Sequence, residues 1–130
     1  MSIEIRMLAW AVLLGVAQLL LAAAGMTRQR GGKWNASARD GQPAPLTGVP
    51  ARLERAFHNF LETFAFFAAA VLAVVLAQRQ DAQTALAVQL YFWARVVYVP
   101  LYAAGIPYVR SLVWGVSMLG IMLLVWALLG

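Results

Sequence analysis

Arg55, Asn59 and Glu62 are the side chains best placed to do chemistry in this chain, because they stand at i, i+4 and i+7 within a long apolar run. At 3.6 residues per turn, all three project from one face of a helix. A second set follows at i, i+3 and i+7: Arg95, Tyr98 and Tyr102, again one helical face. Arg95 is the costlier residue, since an arginine well inside a membrane helix costs about 2.5–3.5 kcal/mol on insertion scales, less what snorkelling recovers. Glu62 lies at a similar depth from the same side. A carboxylate and a guanidinium on neighbouring helices relieve each other's desolvation, so the two are expected to meet or to share a polar ligand. Such a network either binds a ligand or serves only to fix helix packing and assembly, and the spacing alone leaves both readings open.

The elements that position these residues are membrane spans. Of the 130 residues, 63% are hydrophobic and only 12% charged, a mixture foreign to a soluble domain of this size. Four apolar blocks, about 7–26, 56–78, 82–103 and 109–129, each approach the ~20 residues that cross ~30 Å of hydrocarbon. The expectation is an all-α integral membrane protein, a four-transmembrane-helix bundle forming a single domain over residues 1–130. The first block is too long for a signal peptide's apolar region and lacks a good cleavage site, so it is expected to be retained.

Residues 27–54 form the only sizeable polar segment, punctuated by Gly31, Gly32, Pro43, Pro45, Gly48 and Pro50, and read as a loop, partly ordered at most. It holds Arg28, Arg30, Lys33, Arg39 and Arg52 against Asp40 and Glu54. By the positive-inside rule it is cytoplasmic, as is the third connection with Arg110, and both termini face the periplasm. The net charge of +5 is thus a topology signal rather than a nucleic-acid footprint.

There is no cysteine, and a lone histidine, His58, cannot hold a metal, so thiol chemistry has to come from a bound small molecule. His58 reads as an interfacial polar residue. No phosphate loop or nucleophile elbow occurs. Gln18 and Gln89 lie mid-span and are expected to hydrogen-bond across helices. Tyr91, Trp93, Tyr108, Trp114 and Trp126 read as interfacial belts or packing residues. Pro100, between Tyr98 and Tyr102, is expected to kink the third span.

The run Arg52-Leu-Glu-Arg55-Ala56-x-x-Asn59-x-x-Glu62-Thr63-Phe64, followed by Arg95-x-x-Tyr98-x-x-x-Tyr102 and Arg110-Ser111, resembles the MAPEG family, the membrane-associated proteins in eicosanoid and glutathione metabolism. The likeness covers almost the whole chain and is nearest to small bacterial members akin to microsomal glutathione transferases. It implies a homotrimer in a bacterial inner membrane, with glutathione bound at cytoplasm-facing subunit interfaces. It further implies that Arg55, Asn59 and Glu62 bind glutathione. Arg95, Tyr98 and Tyr102 would contact it from the neighbouring subunit, Arg110 would activate the thiol, and Ser111 would share that role.

Glutathione carries two carboxylates and an ammonium, and Arg55, Arg95 and Glu62 match those charges. Its thiol has to be held as thiolate; lowering a pKa of ~8.5 by two units takes ~2.7 kcal/mol, within reach of one arginine in a partly desolvated cleft. The implied activity is a glutathione-dependent transferase or peroxidase acting on hydrophobic electrophiles that reach the site through the lipid. Two departures matter. Ala65 stands where many members have proline, and Thr63 stands where eicosanoid-forming members often have tyrosine, which argues against an eicosanoid-specific enzyme. A non-catalytic lipid- or ligand-binding member of the same fold is the second reading. A proton-coupled exporter using Glu62 is the third, disfavoured by the long basic loop and by Arg95.

Overall fold

The computed structural model describes residues 1–130, all of them in helices and their connections. The helices are α1 (Ile3–Arg30), α2 (Gly32–Ala36), α3 (Gly48–Leu76), α4 (Ala82–Ala103) and α5 (Tyr108–Leu129). Four of them, α1, α3, α4 and α5, are long and apolar enough to cross a membrane. Their outward faces are greasy, with Trp10, Leu20, Phe66, Trp93, Leu112 and Trp126 all exposed. In water such a surface would aggregate; in hydrocarbon it is solvated. The chain is an integral membrane protein.

The segment 27–54 is less loop-like than its composition suggests. α1 continues to Arg30 and stops only at Gly31, whose φ of +88° is open to glycine. α3 already begins at Gly48, and Pro50 lies in its first turn, where a missing N–H is no loss. With α2 between them, only Gly31 and residues 37–47 lie outside the helices. Gln29 closes this stretch, its amide donating to Thr47 O at 2.9 Å and accepting from Thr47 N at 3.1 Å.

α3 is the central element and packs against α1, α4 and α5. Its buried face is Ala56, Phe60, Thr63, Phe67, Ala70, Val71 and Val74, the i, i+3/i+4 stripe of a core helix. Phe67 stacks on Tyr91 of α4 at 3.9 Å, and the Tyr91 hydroxyl lies 3.0 Å from Thr63 Oγ1. The bundle is drawn tight by glycines at two seams. A Cβ at Gly15 would come within 2.9 Å of Phe60, which seats α1 against α3. At Gly120 it would stand 2.7 Å from Ala87 O and 3.0 Å from Tyr91 N, so α5 lies directly on the α4 backbone.

The connection between α3 and α4 is a helix stop followed at once by a helix start. Gln78 takes a left-handed conformation at φ +56°, Gln78 N donates to Val75 O and Arg79 N to Val74 O, the pattern that satisfies a helix's last carbonyls. Asp81 then caps α4 through Thr84 N at 2.9 Å, while Asp81 N donates to Thr84 Oγ1 at 2.8 Å. The buried Glu4 of α1 accepts from the same Thr84 hydroxyl at 3.1 Å. At the opposite end of α4, Pro100 lies in the last turn and the helix runs through it to Ala103.

Neither mid-span glutamine makes the expected interhelical bond. Gln89 donates to Ala85 O of its own helix at 3.2 Å, and the buried Gln18 amide has no partner.

Candidate functional site

The two polar sets come together, without Glu62, where α3, α4 and α5 meet. The buried face of α4 runs Thr84, Ala87, Val88, Tyr91, Ala94, Arg95, Tyr98, so Arg95 and Tyr98 are carried on the core side of the helix. Each is 1% exposed. Arg95 Nη2 donates to Asn59 Oδ1 at 2.9 Å, and its guanidinium lies over the Tyr98 ring, 4.3 Å from the centroid. Nε and Nη1 of Arg95 are buried without a partner. Two unmet donors on a buried cation are rare, because each forfeits the hydrogen bond that water would have made.

From Tyr98 the chain of contacts climbs toward the end of the bundle. Arg110 Nη1 donates to the Tyr98 hydroxyl at 3.4 Å. Tyr98 meets Tyr102 edge-on at 5.6 Å, and Tyr102 is flanked by Arg110 at 4.5 Å and Arg55 at 5.8 Å from its ring centroid. These residues open into a cleft of about 280 Å³ lined by Arg52, Arg55, Tyr102, Gly105, Ile106, Pro107 and Arg110.

Arg52 was not among the residues expected to bind. It lies three residues before Arg55 on the same helical face, so that spacing was the signal available for it. Its Nη1 donates to Ala103 O at 3.2 Å, satisfying a terminal carbonyl of α4. Gly105 turns the chain at φ +76°, with Arg52 Nε only 3.5 Å from where a Cβ would stand.

No carboxylate lines this cleft. The one ion pair in the chain joins His58 to Glu54 at 3.6 Å on the exposed side of α3. Three guanidiniums in one cleft without a counter-charge, above a fourth with two free donors, make an anion-binding site by composition and by geometry.

The expected meeting of Glu62 with Arg95 does not occur, since no ion pair joins them. Glu62 stands about 60° round the helix from Asn59, and that rotation takes it off the seam with α4. It is exposed on the outer face of α3, with no hydrogen bond of its own. Within its own chain Arg95 is held by Asn59 of α3, while Tyr98 accepts from Arg110 of α5. Ser111 is exposed on α5 and does not line the cleft.

A family model described as the MAPEG family matches residues 7–130. The chain belongs to the MAPEG family. That family includes glutathione transferases and related proteins. The match takes in all the cleft residues and nearly all of the four membrane-spanning helices of this MAPEG protein. No curated protein and no solved structure matches the chain.

Proposed function

We propose that this MAPEG protein is a glutathione-dependent transferase, with peroxidase activity toward lipid hydroperoxides, that works as a homotrimer. The observation that carries the reading is the uncompensated arginine cleft above Arg95. Glutathione brings two carboxylates and, on activation, a thiolate, and Arg52, Arg55 and Arg110 supply three cations at one rim. The assembly is supported by Glu62. A carboxylate exposed part-way along a membrane helix needs a partner other than lipid, and a ligand's ammonium together with a neighbouring subunit provides one. The cleft's size points the same way, because small-molecule sites run to ~300–1,000 Å³ and enclose most of their ligand. A neighbour would supply the missing wall, and Ser111 would face it.

Arg110 is the thiolate's partner in this reading. Its guanidinium is held at one nitrogen by the Tyr98 hydroxyl and on one face by Tyr102, leaving its other donors for the sulfur. The thiol proton passes to water. The sulfur then attacks an electrophilic carbon; the C–S bond forms as the leaving group departs with its electron pair. With a hydroperoxide the thiolate attacks the terminal oxygen; the S–O bond forms as the O–O bond breaks, the alkoxide leaves with its electron pair and is protonated by water to the alcohol, and a second glutathione reduces the sulfenic product to the disulfide and water. An apolar second substrate reaches the sulfur from the bilayer. The cleft and the basic segment lie at the same end of the bundle, which the positive-inside rule assigns to the cytoplasm, with both termini periplasmic in a bacterial inner membrane.

The test is to add glutathione to the protein in detergent and record the ultraviolet thiolate band and the conjugation of an aryl halide. The band and turnover are expected in the wild type, and Arg110→Ala is expected to lose both while still binding glutathione. Absence of binding at millimolar glutathione sinks the reading. Glu62→Gln is expected to weaken glutathione binding; a loss of proton-driven transport instead, with binding intact, would favour an exporter.

A further inference from the structure

Away from the cleft, a second set of cations is gathered at the end of α1. α1 has 28 residues, about 42 Å of helix against ~30 Å of hydrocarbon, so its last turn, with Arg28 and Arg30, stands at the level of the lipid headgroups. Beyond Gly31 the chain folds back around the half-buried Trp34. Arg30 lies 5.2 Å and Arg39 5.7 Å from the Trp34 ring centroid. Both arginines are fixed by main-chain oxygens: Arg30 Nε donates to Ala44 O and Arg39 Nε to Asn35 O, each at 3.0 Å. Asn35 also accepts from Arg39 Nη2 and donates to Thr27 Oγ1 at 2.8 Å. Lys33 and Arg28 are exposed beside them, and Asp40 is the single acid between residues 27 and 47.

We propose that this platform is a docking site for the phosphodiester headgroup of an anionic phospholipid. The terminal nitrogens of Arg30 are unused by the protein, while the hydrogen bonds to the other nitrogens have already ordered both arginines, so an anion binds without ordering them afresh. Four cations against one acid repel one another until an anion joins them. Lipid, rather than free phosphate, is the source because of what lies next to the platform. The exposed face of α1 leads to it through Val16, Leu19 and Leu20, a bed for acyl chains continuous with the headgroup site. An indole among basic residues at headgroup depth is the composition that membrane interfaces favour.

The experiment is native mass spectrometry of the full chain released from detergent with phosphatidylglycerol or phosphatidylethanolamine of the same acyl composition. The wild type is expected to retain phosphatidylglycerol at a lipid concentration at least about 25-fold lower than phosphatidylethanolamine. Each basic residue near an anionic headgroup is worth about fivefold in binding, so the double variant Lys33→Gln/Arg39→Gln is expected to lose about 25-fold for phosphatidylglycerol and little for phosphatidylethanolamine. Glycerol phosphate at matched concentration is expected to leave the adduct in place. Equal retention of the two lipids, an unchanged preference in a helical double variant, or displacement by glycerol phosphate each overturns the proposal. Should the double variant lose helicity, the wild type in about 0.5 M salt reads the same question: its preference is expected to collapse, and persistence overturns the assignment.

Discussion

Replacing Asn59 by leucine removes the only hydrogen-bond acceptor of Arg95 while keeping the volume of the side chain. Nε and Nη1 are already without partners, so the variant leaves a buried guanidinium held by ring faces alone, Tyr98 at 4.3 Å and Phe60 at 5.8 Å. A hydrogen bond to a charged group is worth about 1.5–3 kcal/mol, and breaking a buried pair from one side costs about 3–5 kcal/mol. The ring contacts are common to both forms and return none of this. Asn59→Leu is therefore expected to lose about 3 kcal/mol. Arg95→Met behaves differently, because it removes the buried charge as well as the bond; it is expected to cost less than about 1 kcal/mol. The double variant Asn59→Leu/Arg95→Met should return to within about 1 kcal/mol of wild type, a coupling of about 2–3 kcal/mol. Denaturation in mixed detergent micelles, followed by tryptophan fluorescence and circular dichroism, measures all four corners of the cycle. A wild-type stability for Asn59→Leu, or a double variant as unstable as the sum of the singles, refutes the argument.

Gly120→Ala places a methyl group 2.7 Å from Ala87 O, and since the obstacle is backbone, a loss of about 1–3 kcal/mol is expected in the same assay. Gln78→Gly relieves a left-handed residue at the end of α3 and is expected to stabilise by about 0.5–1 kcal/mol, read as a rise in thermal midpoint. Arg52→Ala uncaps α4 and removes one cation from the cleft; glutathione affinity measured by calorimetry is expected to fall about tenfold, the worth of one charge-assisted bond, with stability reduced by about 1 kcal/mol.

What the sequence could and could not say follows from the kind of signal each residue sends. The four spans announce themselves because ~20 apolar residues in a row have few other uses. The helical extensions before Ala56 and beyond Met26 are invisible to that signal, since a helix outside the hydrocarbon needs no apolar pattern. Arg52 escapes the same signal: it stands in the polar segment, where phase with Arg55 carries no meaning without a helix, and α3 in fact begins at Gly48. The partner of Arg95 shows another limit. Depth along a helix is legible from residue counting, and depth favoured Glu62; rotation about the seam decides contact, and rotation chose Asn59. Gln89 needed no partner across the bundle because its own helix offered Ala85 O.

The pairing of Asn59 with Arg95 also bears on how the chain enters the membrane. Synthesis proceeds from the N-terminus, so α1 and α3 leave the ribosome before α4. The neutral amide is thus in the bilayer first, at modest expense, and the guanidinium arrives to find an acceptor waiting at its own depth. With the order reversed, a cation would have to wait in lipid for its partner. The sequence of helices is in this sense a schedule, which brings the least tolerable side chain in after its acceptor.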